Sequence, residues 1–141
     1  MKKVALLLLL VMNLISCQYL SQLNSDKELT KIIESKIKDN SMKIDLTKID
    51  NIDYDKLLIL EPYSNIQKTE IELNIDLSNI SKNYICNSDG INLLVFLKNG
   101  KSIKISELNR TNGDFKDCKV FINRKNALFE KNEKGIIALI K

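Results

Sequence analysis

The 141-residue chain has no histidine and no tryptophan, and it contains only one proline, four glycines and three cysteines. Without histidine, a Ser-His-Asp triad, a Cys-His dyad and a His-bearing zinc site are excluded, and the commonest general base and pH switch go with them. The few glycines form no phosphate-cradling loop, and the cysteines form no CxxC pair. No apolar run approaches the roughly 20 residues of a transmembrane helix. The formal charge of +4 is small and no basic-aromatic motif accompanies it, so nucleic acid is not an expected partner. Two arginines stand against twenty lysines, a bias to which we attach no functional meaning.

What is present begins at the N-terminus. Lys2 and Lys3 precede an apolar stretch at residues 4–15, interrupted only by Asn13, and Leu14-Ile15-Ser16-Cys17 closes it. The stretch has the length of a signal-peptide core. The pattern resembles the signal peptide and lipobox of bacterial lipoproteins. The resemblance implies that residues 1–16 are cleaved, that Cys17 carries a thioether-linked diacylglycerol and becomes the new N-terminus, and that the domain lies outside the cytoplasm. Two acyl chains hold a protein stably at a membrane, whereas one does so only marginally. A secretory signal cleaved after Ser16, without lipid, is the rival. Residues 17–24 then read as lipidated cysteine and polar tether, and residues 25–141 as a single domain. Gln18, rather than Asp, follows the cysteine; by resemblance to known sorting patterns this favours the outer membrane over the cell membrane, in a cell that has both.

With Lys2 and Lys3 removed, twenty cationic side chains face eighteen acids, a balance of +2. The distribution is uneven: residues 17–97 carry −4 and residues 98–141 carry +6. Two parts packed against each other, with a solvated lysine face, explain this; a basic surface toward anionic lipid or an acidic partner is the sharper reading. Once Cys17 is lipidated, Cys86 and Cys118 form an even pair in an exported protein, which reads as one disulfide. Two free thiols are the alternative.

Ser25-Asp26-Lys27-Glu28 has the form of a capping box, and Leu29, Ile32, Ile33 and Ile37 share a helical face until Asp39-Asn40-Ser41. Met42, Ile44 and Leu46 alternate like a short strand. The apolar run 57–60 reads as a buried strand that Pro62 ends. Residues 65–77 admit two readings. Ile71, Leu73, Ile75 and Leu77 alternate, yet Ser64-Asn65-Ile66-Gln67 forms a second capping box and Asn74 suits a left-handed helix end; we favour a short helix. Residues 91–97 and 102–106 flank Asn99-Gly100, the strongest short hairpin signal, with Ile103 and Ile105 expected inward. Cys118, Val120 and Ile122 alternate in a further strand. Residues 127–131 and 136–140 form a last hairpin around Gly135. The expected fold is α+β: an antiparallel sheet of about five strands, with the N-terminal helix and the short helix on one face.

Asp53-Tyr54-Asp55-Lys56, Pro62-Tyr63-Ser64 and Glu72-Leu73-Asn74-Ile75 resemble a pattern in small, uncharacterised bacterial envelope proteins: aromatic-Asp-Lys, an apolar strand, Pro-Tyr-Ser/Thr, then a short helix. The resemblance covers about 25 residues and implies strand-turn-helix without a known activity. Tyr54 stands where Trp is expected, and Asn74 where Gly is expected.

Tyr54 and Tyr63 bracket that motif and are possible ligand contacts, against a packing role for each. Asp50, Asn51, Asp53 and Asp55 are clustered but lack the glycine and terminal glutamate of an EF-hand loop, so no metal is assigned. No catalytic residue and no cofactor is expected. The reading is a lipid-anchored envelope protein that binds a partner or maintains the envelope. A small-ligand carrier, a carboxylate-based hydrolase and an inhibitor or immunity-type protein are the alternatives. An apolar pocket, convergent carboxylates, or an exposed apolar patch with a charged rim would respectively favour them.

Overall fold

Gln22 to Asp26 open the described chain and are already bonded to the body. The computed structural model describes residues 22–39 and 42–140; the signal segment and Cys17 lie outside them. The Leu23 amide donates to Asn79 O, and the Asp26 amide donates to Ile105 O beside a parallel bridge between Ser25 and Ile105.

Helix α1 (Lys27–Lys38) buries Leu29, Ile33 and Ile37, three positions of the expected stripe. Its cap is Asp26, not Ser25. Asp26 Oδ1 accepts from the Glu28 and Leu29 amides, while Ser25 Oγ accepts from the Glu107 amide. The amide of Leu29, then the ion pair with Lys104, hold the Asp26 carboxyl below its usual pKa. The same one-residue shift recurs at α2 (Ile66–Leu73), which is capped by Asn65 rather than Ser64 and ends on left-handed Asn74. Aspartate and asparagine cap as well as serine does; Ser25 is taken up by the bond from Glu107, and Ser64 by the local turn that its amide closes onto Glu61 O.

The α+β class holds, but the strands divide into two four-stranded sheets. The central sheet has the order β4-β3-β2-β6 and is antiparallel throughout, with β2 Lys56–Leu60, β3 Ile91–Lys98, β4 Lys101–Asn109 and β6 Phe121–Asn123. The second sheet has the order β1-β7-β8-β5, with β1 Lys43–Asp45, β5 Asp114–Phe115, β7 Leu128–Lys131 and β8 Ile136–Leu139. Its β5–β8 pair is parallel and the others are antiparallel.

Strands β2 and β3 are apolar at nearly every position, so both faces of the central sheet need cover. Leu57, Ile59, Leu94 and Phe96 point to one side, where α1 and the inner residues of the second sheet (Ile44, Phe115, Phe129, Ile137) pack. Leu58, Leu60, Leu93, Val95 and Leu97 point to the other, under Ile66 of α2 and Leu77, Ile80 and Ile85 of the following turns. The two helices therefore lie on opposite faces of the central sheet, not on one. Full burial of each such side chain contributes about 1.5–3 kcal/mol, so neither face could be left open.

Asn99 and Gly100 both have positive φ, as a type I′ hairpin requires. The register slips between Phe96 and Leu97, and this bulge separates the two isoleucines expected to point the same way. Ile105 joins the α2 side and Ile103 the α1 side.

Candidate binding surfaces

Among the described residues, the second sheet is covered on one face only. Alternation puts Ile44, Phe129 and Ile137 into the core and turns Lys43, Glu130 and Ala138 outward as a cross-strand row. Leu128 pairs with Asp45, and the Ile140 amide donates to Leu128 O. Met42, Leu128, Ile136 and Ile140 are exposed there. An open groove of about 490 Å³ lies on this face, lined by Met42, Ile136 and Ala138 together with Lys43, Lys116 and Glu130. The charged pair Lys43–Glu130 thus crosses the face between two apolar groups, Leu128 with Ile140 on one side and Ile136 with Met42 on the other.

A second exposed cluster sits on the α2 side. The strand-turn-helix implied by the local resemblance is present: β2, a turn, then α2. The Ser64 amide closes the turn onto Glu61 O, with Pro62 second and Tyr63 third. Tyr63 has a φ of 61°, in the left-handed region that a type II turn demands and a bulky residue resists. Its amide reaches both Ile85 O and Ser88 O, which offsets the strain, while its ring stays 63% exposed. Ser64 Oγ is buried behind the turn with no hydrogen-bond partner among the described residues. Tyr84, 69% exposed, and Ile71, 80% exposed, belong to the same layer.

The two tyrosines singled out in the sequence therefore part company. Tyr63 is on the surface. Tyr54 is 1% exposed, donates its hydroxyl to Leu46 O at 2.7 Å, and meets Phe96 edge-on at 5.0 Å. Burial pushes its pKa up to about 12, against the opposing charge of Arg124. It is a core residue, and the ligand-contact reading for Tyr54 is withdrawn. The acidic residues around it are used structurally. Asp53 pairs with Lys98 at 3.0 Å, and Asp55 Oδ2 accepts from the Asn99 amide, pinning the hairpin turn, while its Oδ1 is buried without a partner among the described residues. Glu61 pairs with Lys119 and Glu72 with Lys68. Among the described residues, no group of three or more cysteines or acids is placed to hold a metal ion.

The expected Cys86–Cys118 disulfide is absent: both residues are free thiols. Cys86 is exposed in the 3-10 turn Tyr84–Asn87, whose Ile85 packs on the α2 side of the central sheet. Cys118 packs against the core on the α1 side and donates to Phe115 O at 3.2 Å. The sheet separates the two sides, and an even count of cysteines carries no information about that. Burial, then the charge of Glu61, push the Cys118 thiol up to about 11.

Sequence reading missed the outward face of the last hairpin. The signal was there, since residues 136–140 are apolar at every position. A run of that kind says that both faces are apolar, not which one stays open. Comparison of the chain with protein-family models, with curated proteins and with solved structures gives no match in any of the three.

Proposed function

We propose that this protein is a non-catalytic binding domain, held at a bacterial membrane by lipid on Cys17 and facing outside the cytoplasm. We assign the open face of the second sheet to a protein partner. The observation that carries this reading is the composition of that face: four large apolar side chains, Met42, Leu128, Ile136 and Ile140, are exposed on it around the charged pair Lys43–Glu130. Protein interfaces mix apolar and polar side chains, and large apolar side chains exposed together on one face of a small domain mark an interaction site. The expected partner presents apolar side chains interspersed with charges of both signs, as in an inhibitor or immunity-type pairing. A small-ligand carrier is less well supported, because the groove is open along its length and has lysine and glutamate in its wall.

The test places a photo-crosslinking residue at Leu128 in the full-length lipoprotein, in its native envelope, with the same residue at Ile71 as control. A discrete heterologous adduct at 128, lost when Ile136 is also replaced by Glu, is the expected result. Adducts to a second copy would make the face a self-association surface. Equal labelling at both positions would end the partner assignment.

A further inference from the structure

We infer that the docked N-terminal segment orients the domain on the bilayer, with the α2 layer against the lipid surface and the open face of the second sheet on the far side. The inference rests on lipidation of Cys17.

The segment leading in from Cys17 does not hang free until the helix begins. Gln22 Nε2 donates to Ser78 O at 2.8 Å, its Oε1 accepts from the Lys82 amide at 3.1 Å, and the Leu23 amide donates to Asn79 O at 2.7 Å. The Leu23 side chain packs into the cluster on the α2 side of the central sheet. The chain is thus fastened to the 78–82 segment, in the layer that carries α2, before it crosses β4 and enters α1. Residues 18–21 alone separate Cys17 from this attachment point. Fully extended, that link reaches about 18 Å. A folded domain of this size is roughly 35 Å across, from a radius of gyration near 13 Å. The link is therefore too short for the domain to turn over. Gln22 and the 78–82 segment to which it is bonded stay within that reach of the lipid, and the second sheet, on the other side of the central sheet, lies farther from it.

That layer has the side chains an interface accepts. Tyr63, Ile71 and Tyr84 are its large exposed apolar and amphipathic groups, and tyrosine suits a boundary where one end of the ring is apolar and the other wet. Electrostatics does not supply the orientation. Between Glu61 and Asp89 there are five acids and two lysines, so this layer is not drawn to anionic lipid by charge. The tether imposes the arrangement, and that separates it from an affinity of the surface itself.

The experiment uses the full-length lipidated protein in phosphatidylcholine vesicles doped with a headgroup-quencher lipid. A fluorescent amino acid is placed at Ile71 or at Glu133, an exposed residue beside the open groove. Flotation with the vesicles first establishes anchoring. For floated protein, quenching at 71 is expected to exceed that at 133 by about threefold or more. Equal quenching, or more at 133, overturns the orientation while leaving the anchor intact. Failure to float overturns the anchor, and the inference with it. Inserting twenty Gly/Ser residues after Gln18 gives a link long enough for the domain to tumble, and the difference between positions is expected to vanish. If the difference persists, surface affinity rather than the tether sets the orientation, and the inference is wrong.

Discussion

The Arg124 guanidinium lies 4.9 Å from the centre of the Tyr54 ring and reaches past it to three backbone carbonyls, those of Thr47, Ile49 and Ile52. One side chain thereby fastens the irregular segment between β1 and β2, and Tyr54 from that segment completes the arrangement through its own bond to Leu46 O. The second sheet begins at β1, so the position of the open face depends on this fastening.

Replacing Arg124 with Lys should expose how much of it is geometry. Lysine keeps the charge but cannot present a planar fork to several carbonyls or stack on a ring. A loss of about 1–3 kcal/mol is expected, seen as a lower urea midpoint at unchanged slope. A midpoint equal to that of the parent would show that the three bonds contribute nothing net.

Tyr54 predicts an alkaline limb of stability. Its pKa is raised by burial to about 12 in the folded chain, against about 10 when unfolded. The folded state therefore favours the neutral phenol. That contribution is complete below pH 10 and is lost as pH rises toward 12. Tyr54→Phe should cost about 0.5–1.5 kcal/mol at neutral pH through the bond to Leu46 O, and should flatten this part of the curve. Thermal melts of parent and variant between pH 8 and 12 decide it; parallel curves would contradict the assignment.

Gly113 has a φ of 142°, and a Cβ there would sit 2.7 Å from Ile137 Cδ1 and 2.9 Å from Gly135 O. The glycine lets β5 approach β8 closely enough to pair. Gly113→Ala should cost about 1–3 kcal/mol, the usual range for overpacking. Gly90→Ala, with open space at its Cβ, serves as the control and should be close to neutral. Equal midpoints for the two variants would remove the argument for close approach.

The cysteines make a chemical prediction. A soluble Cys17→Ser domain isolated in air should retain two alkylatable thiols by intact mass. Cys86, exposed, should react first. Cys118 should lag because burial both shields it and holds its thiol protonated up to about 11. A mass two daltons lower (about 2 Da, the loss of two hydrogens on oxidation) with no alkylation would restore the disulfide.

Much of the local structure was legible in the residues. The amphipathic stripe of α1, the Asn99-Gly100 hairpin, the Pro62 stop and left-handed Asn74 each rest on neighbours within a few positions, and each is present in the fold. The first cap moved by one residue because Ser25 and Glu107, distant in sequence, bond to each other. Lys119 adopts a φ of 58° and cuts the expected strand at Cys118 short, leaving Val120 exposed.

By itself the sequence determined the kinds of element, the apolar surplus that forces a two-sided central sheet, and the resemblance at Cys17 on which the anchor proposal stands. Tertiary structure alone decided how the strands of the described residues divide between two sheets, which sides of the central sheet Cys86 and Cys118 occupy, and which face of the last hairpin stays open. The reason is physical. Periodicity reports that a face is apolar, but the partner that covers it comes from residues far along the chain, and strands as short as Asp114–Phe115 have no pattern of their own to announce them.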